Sequence, residues 1–210
     1  MPVTDKSQIS QDNKGICGFT HLIQMLIDER KLTLQQFNST YTTSTAFADE
    51  WLQTQISHDS RLDQPASTAL NRSLMFTAEF GKPFNEISLQ ELLQVKSWDW
   101  EARPGFGLIP EAICDYALRK YGLTMMIQAY NPNKTLDQLW TSKSNNLGHG
   151  IYGVKRKVGA GRDGKQITHY VYIDRAGELM TWQSTGDTAK NKLKNSRTGF
   201  TEAVVRLYPQ

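Results

Sequence analysis

The sequence has few or none of the features that mark several classes of protein. Its 210 residues contain two cysteines, Cys17 and Cys114, too few for a disulfide framework, and no cysteine–histidine cluster has zinc-site spacing. No apolar run approaches the roughly 18 residues needed to cross a bilayer. The net charge of +3 does not by itself indicate a nucleic-acid-binding protein. We therefore expect no metal, no organic cofactor, and neither a membrane nor a nucleic acid as partner.

The amino-terminal segment, MPVTDKSQIS, lacks the apolar core of a secretory signal. We expect the protein to be cytoplasmic, or to be delivered into a target cell by a specialised secretion system. A hydrophobic fraction of 39% over this length is typical of one globular domain with a full core. We predict a single domain over residues 1–210, with a polar extended arm at 1–14 and a mostly helical insertion or cap at 32–105.

Helical patterns dominate the first half of the sequence. From Cys17 to Glu29 apolar residues recur at i, i+3, i+4 and i+7, which predicts a helix with one wide buried face. Helical patterns continue in TAFADEWLQTQI, TALNRSLMFTAEF and ISLQELLQV. A further helix is predicted to begin at Pro110, because proline is favoured in a first helical turn, and to end before Gly122.

Strand patterns dominate the second half. LTMMIQAY predicts a buried strand, followed by a turn at NPNK and a short helix at TLDQLWTSK. Four antiparallel strands follow, HGIYGVKRKV, QITHYVYID, LMTWQS and FTEAVVRLYP, with turns at GAGRDGK and RAGE and a basic polar loop around KNKLKNSR. Helices first and a strand meander afterwards indicate an α+β fold.

A cysteine opens the first predicted helix, in QDNKGICGFTHLIQML. The N-terminus of a helix stabilises a thiolate, and its unpaired N–H groups can stabilise an oxyanion that forms beside the sulfur. Gln11, six residues before Cys17, offers a neutral amide donor to the same oxyanion. A buried cysteine is usually an inert apolar residue, so Cys17 alone does not establish an active site.

A nucleophilic thiol needs a base, generally an imidazole, held by a third group. His169 opens the predicted strand HYVYID. If RAGE is the turn of a hairpin, the returning chain brings WQSTGD opposite this histidine, and Gln183, Ser184 and Asp187 are then candidates to orient the imidazole. His149 also precedes a strand and is the competing base.

The two ends of the chain resemble papain-like cysteine peptidases, in particular the bacterial branch related to bacteriocin-processing peptidases. In residues 9–30 a glutamine precedes Cys-Gly at the family's spacing. In residues 135–187 a short helix, a strand, a strand opening with histidine, a turn and a further strand follow in the family's order. The resemblance implies a papain-like fold in which Cys17 attacks a carbonyl and His169 holds the thiolate as an ion pair. It also places Gln11 at the oxyanion and Gln183 or Asp187 as the orienting residue.

The resemblance implies a cysteine-dependent amide hydrolase, foremost a protease that cleaves a target protein. It extends to bacterial toxin and effector domains, which act in a recipient cell and are blocked by a cognate immunity protein in the producer. Glutamine deamidation and peptidoglycan cleavage by the same fold are alternatives. So is a non-catalytic papain-like binding module, which is supported by the stretch TWQSTGD, where the family usually carries Asp or Asn.

Overall fold

The computed structural model describes residues 2–10, 16–57, 74–75, 107–108, 110–135, 148–156, 167, 169–195 and 200–210. This part of the chain contains five α-helices and two antiparallel sheets, so the α+β prediction is confirmed. The predicted helix ISLQELLQV, the predicted turn GAGRDGK and residues 136–143 of the predicted helix TLDQLWTSK lie outside the described residues.

The helices are α1 (Cys17–Asp28), α2 (Leu34–Thr40), α3 (Ser44–Ser57), α4 (Pro110–Tyr121) and α5 (Gly186–Asn195). The strands are β1 (Leu74–Met75), β2 (Gly107–Leu108), β3 (Met125–Thr135), β4 (Gly150–Arg156), β5 (His169–Ile173), β6 (Leu179–Thr181), β7 (Ser184–Thr185) and β8 (Phe200–Pro209). No helix in the described ranges is both long and apolar enough to cross a membrane.

Six strands form one antiparallel sheet in the order β3-β8-β4-β5-β6-β7. The expectation of a simple meander is wrong, because β8 inserts between β3 and β4. Strand patterns in a sequence predict where strands lie but leave their order open. β1 and β2 form a separate two-stranded pair, so Leu74 and Met75 lie in a strand where the pattern predicted a helix.

α1 is the centre of the main core. Every residue from Cys17 to Leu26 is buried, because the helix lies against one face of the sheet and other elements cover its remaining sides. Its apolar side chains pack against Tyr170 and Tyr172 of β5. Burying a side chain of the size of leucine or phenylalanine stabilises the fold by about 1.5 to 3 kcal/mol, so this helix fixes the position of its own N-terminus firmly.

α5 covers the other face of the sheet, where the sequence predicted a basic polar loop. Ala189 and Leu193 stand four residues apart on one side of the helix and are fully buried, with Val171 and Ile173 of β5 in the same cluster. The loop prediction is wrong because two apolar residues at helical spacing outweigh the surrounding lysines and asparagines.

β3 differs from its prediction in two ways. It lies at an edge of the described sheet, and Met126 and Ile127 are 41% and 39% exposed, so it is not the buried strand that was expected. It also runs through NPNK, where a turn was predicted, up to Thr135. A register shift between Ala129 and Lys134 accommodates Pro132, since an edge strand or a bulge tolerates proline.

α4 has the boundaries that were predicted, whereas the N-terminal arm differs from its prediction. α4 begins at Pro110 and is followed by Gly122 at φ +62°, as predicted. The arm is not simply extended: Lys6–Gln8 forms a 3-10 turn closed by a capping box from Asp5, and Ile9 is buried in the core.

Candidate functional site

The two halves of the chain meet at the N-terminus of α1. Cys17 is the first residue of this helix and is 9% exposed. Its sulfur lies within hydrogen-bond reach of the backbone of Gly18 and of Tyr170. Because Tyr170 directly follows His169 in β5, the fold brings the cysteine next to the strand that opens with the predicted base.

The electrostatics of Cys17 differ from the sequence-based expectation. Burial raises the pKa of the thiol to about 11, while hydrogen bonds from the backbone of Tyr170, Gly18 and Cys17 itself oppose this change. The N-terminus of the helix therefore stabilises the thiolate less than desolvation disfavours it. A pKa raised in this way favours the neutral thiol of Cys17 over the thiolate near pH 7.

His169 is buried in a closely fitted polar and aromatic environment. It is 4% exposed, and its Nε2 lies 2.7 Å from Thr181 Oγ1. The indole of Trp182 stacks on the imidazole at 4.6 Å between centroids and 17° between planes, and the ring of Phe200 lies at 5.3 Å. Thr181 thus holds the imidazole at Nε2, and Trp182 covers one face of the ring.

A tight turn makes these contacts. Thr181 pairs with Ser184 across β6 and β7, which leaves Trp182 and Gln183 as a two-residue turn. Both residues have positive φ, 45° and 54°, a conformation that asparagine and glycine adopt far more easily. LMTWQS was therefore predicted as one uninterrupted strand, and the hairpin that places Thr181 against His169 was missed.

The residues predicted to orient His169 lie elsewhere. Gln183 is exposed, and its Nε2 donates to the carbonyl oxygen of Gln8 at 3.2 Å. The Asp187 side chain is 92% exposed in the first turn of α5 and pairs with Lys190 at 3.1 Å. Thr181, rather than Gln183 or Asp187, is the residue at Nε2 of His169. The amide donor proposed for the oxyanion, Gln11, lies outside the described residues.

Ser184, the remaining candidate to orient His169, forms its side-chain hydrogen bond within the turn. Its Oγ donates to the carbonyl oxygen of Trp182 at 3.3 Å. Two of the three candidates, Gln183 and Ser184, thus support the turn itself. The only advance signal for Thr181 was its place directly before the turn, on the strand that returns alongside β5.

A second imidazole lies beside His169. The ring of His21, one helical turn after Cys17, is 6.1 Å from the ring of His169. Its Nδ1 donates to Gln24 Oε1 at 2.7 Å, and the Gln24 amide donates in turn to the carbonyl oxygen of Lys6 at 3.0 Å. Burial lowers the pKa of His21 to about 4, so this ring is neutral at physiological pH.

His149, the competing base, belongs to the opposite end of α1. Its Nε2 is 2.8 Å from the hydroxyl of Tyr172 and 3.4 Å from Oε1 of Glu29, the residue directly after the helix. A 12-residue helix is about 18 Å long, so Cys17 is far from this histidine. Burial lowers the pKa of His149, although Glu29 favours its charged form.

Two further observations bear on the chemistry of the site. Within the described ranges no group of three or more His, Cys, Asp and Glu side chains is arranged to hold a metal ion. Cys114, the other thiol, lies half-buried on α4.

Searches against models of protein families, against curated proteins and against solved structures found no match to this chain.

Proposed function

We propose that this protein is a cysteine-dependent amide hydrolase of papain-like arrangement, with Cys17 as nucleophile and His169 as base. The observation that carries the proposal is the contact between the Cys17 sulfur and the backbone of Tyr170, which brings the start of α1 to the start of β5. The cysteine precedes the histidine in the chain, as the resemblance implies. The proposal also uses the fixed imidazole of His169, which needs no movement to adopt one orientation.

The proposed mechanism starts from a neutral thiol and a neutral imidazole. As the sulfur attacks the carbonyl carbon, His169 takes the thiol proton, and the backbone N–H groups of the first turn of α1 stabilise the oxyanion. Gln11 is the proposed additional donor. The imidazolium returns its proton to the leaving amine as the C–N bond breaks. Water, deprotonated by His169, then attacks the thioester and releases the acid and the free thiol.

One observation favours a second candidate, a non-catalytic binding module. The thiol of Cys17 is buried and its pKa is raised, which is the usual state of a cysteine that serves only to fill space in a core. In that case His169 and its aromatic neighbours are packing residues, and replacing Cys17 by alanine leaves the function intact.

An activated ester distinguishes the two candidates. p-Nitrophenyl acetate reports acylation without a known biological substrate, and the background is the Cys114→Ala protein, so that Cys17 is the sole thiol. We expect nitrophenol release and an acetyl adduct on the Cys17 peptide, both lost in Cys17→Ala and His169→Ala. His149→Ala is the matched control and should retain the rate, because this histidine lies at the other end of α1. Equal rates in the Cys17→Ala protein would overturn the hydrolase proposal.

The substrate proposal follows the resemblance: a target protein first, then a protein glutamine side chain, then peptidoglycan. The three leave different products, namely new protein N-termini, ammonia without chain cleavage, and soluble muropeptides. The effector interpretation adds an inhibitory immunity protein as partner. Assaying all three products with the parent and Cys17→Ala proteins selects among them.

A further inference from the structure

The hydrogen bond between Thr181 and His169 lies in a water-shielded environment. Thr181 is 2% exposed and His169 4%, and their side-chain atoms are 2.7 Å apart. A hydroxyl can accept as well as donate. If Thr181 accepts from Nε2–H, the lone pair of the neutral imidazole is on Nδ1. The same bond persists when Nδ1 takes up a proton, because both nitrogens of an imidazolium are donors.

The aromatic neighbours act on the rest of the ring. Trp182 covers one face of the imidazole in a stacked geometry, and Phe200 approaches it at a tilt. This limits rotation of the ring and excludes water from that face. The indole face also favours the charged form of the ring, since a cation over an aromatic face is attracted by its quadrupole.

The turn at Trp182 and Gln183, which supplies these contacts, has a backbone conformation that its two residues do not favour by themselves. Trp182 and Gln183 occupy left-handed backbone positions that cost each residue free energy, and such strain persists where surrounding structure over-determines the conformation. The Lys192 ammonium and the Ser184 hydroxyl both donate to the carbonyl oxygen of Trp182, at 3.2 and 3.3 Å. The side-chain amide of Gln183 donates to the carbonyl oxygen of Gln8 in the N-terminal arm. These three hydrogen bonds support the turn.

From these observations we infer that Thr181 and Trp182 are the positioning residues of His169, Thr181 fixing Nε2 so that Nδ1 carries the proton of the reaction, and Trp182 fixing the ring plane. This inference rests on the proposed function, in which His169 is the base. The hydroxyl of Thr181 fixes the ring without adding a negative charge, which would favour the imidazolium before substrate binds. A neutral imidazole is the form that can take a proton from a neutral thiol, as the proposed mechanism requires.

The matched variants are Thr181→Val, which keeps the shape and removes the hydroxyl, and Thr181→Ser, which keeps the hydroxyl. The readout is the rate of acylation by p-nitrophenyl acetate against pH in the Cys114→Ala background. We expect Thr181→Val to lower the rate about 10-fold or more, since positioned proton transfer contributes about 10²- to 10⁴-fold. Its acid limb should move to lower pH, because the imidazolium loses an acceptor. Thr181→Ser should restore both.

Trp182 is tested in the same assay by Trp182→Phe and Trp182→Leu. Phenylalanine keeps an aromatic face and should retain most of the rate. Leucine removes that face and should lower it. Equal rates for these two variants would overturn the role of Trp182, and equal pH profiles for Thr181→Val and Thr181→Ser would overturn the role of Thr181. Both results leave the dependence on Cys17 and His169 intact, whereas loss of that dependence overturns the proposed function together with this inference.

A measurement on the parent protein covers the case in which Thr181→Val does not fold. Nitrogen NMR of histidine-labelled protein, assigned with His169→Ala, reports which ring nitrogen of His169 carries the proton. We expect Nε2–H, protected from exchange, with an unprotonated Nδ1 at neutral pH. The opposite tautomer would overturn the inference without any change at Thr181.

Discussion

Replacing Lys6 by methionine should destabilise the fold, because two partly buried carboxylates then lose the cation that they share. The ammonium of Lys6 pairs with Asp28 at the end of α1 and with Asp174 after β5, the latter at 3.2 Å. The three side chains are 17%, 13% and 9% exposed. Although burial alone would lower the pKa of Lys6, Asp28 foremost and then Asp174 raise it above its ordinary value.

The magnitude follows from the partial burial of the three groups. Breaking a fully buried ion pair costs about 3 to 5 kcal/mol, and the remaining exposure here reduces the expected cost to about 2 to 3 kcal/mol. For a chain of this size that lowers the melting temperature by roughly 4 to 12 °C. Because the pKa of Lys6 is raised in the folded state, its contribution is complete below about pH 10.5 and is lost as pH rises through the folded value.

The assay is urea denaturation of the parent and the Lys6→Met protein at several pH values, with Lys31→Met, an exposed lysine after the same helix, as control. We expect the deficit in unfolding free energy seen at pH 7 to shrink as the pH rises above about 10.5, because the Lys6 ammonium of the parent protein then loses its proton. A deficit that does not shrink above pH 10.5, or one matched by Lys31→Met, would show that packing of the side-chain methylene groups rather than charge is responsible.

Three further predictions concern the frame of the site. Leu193→Ala should cost about 2 to 5 kcal/mol of unfolding free energy, because it opens a cavity beneath α5. Lys194→Ala, at an exposed position of the same helix, should cost little. Equal losses for the two variants would contradict the burial of this face of α5 against the sheet. Gly122→Ala should cost about 1 to 2 kcal/mol, since the added methyl group meets no neighbour and the penalty comes only from φ +62°; an unchanged denaturation midpoint would refute this. Tyr172→Phe should cost about 1 to 3 kcal/mol of unfolding free energy, because it removes the hydroxyl that donates to Asp28 at 2.6 Å. Tyr208→Phe is the control. An unchanged unfolding free energy for Tyr172→Phe would show that water replaces the lost hydroxyl.

The sequence predicted those parts of the fold in which one residue pattern decides the outcome. α1 follows its apolar spacing from Cys17, and α4 begins and ends at Pro110 and Gly122, where single residues carry the signal. The strand that opens with His169 begins at that residue, as expected. These predictions succeeded because helix period, strand period and capping chemistry are local properties.

The elements that were missed depend on contacts between distant parts of the chain. α5 is mostly polar, and only burial of Ala189 and Leu193 against the sheet makes it a helix. The turn at Trp182 and Gln183 has no turn signal in its residues, because contacts from α5 and from the arm impose it. Thr181 was missed for the same reason, since its partner becomes visible only once the hairpin register is known.

The position of β8 has a consequence for how the protein is made. Residues 200–209 are synthesised after every other described element, yet they join β3 to β4, pairing Met125 with Pro209 and Ile151 with Leu207. Contacts of such large sequence separation form late, because the entropy of closing a long loop must be overcome before they stabilise anything. On the ribosome, α1 emerges early but must wait for β5 and then for β8 before its buried face is covered. We therefore expect these elements to fold in one step after residues 200–209 have been synthesised, with the start of α1 fixed against the start of β5 only then.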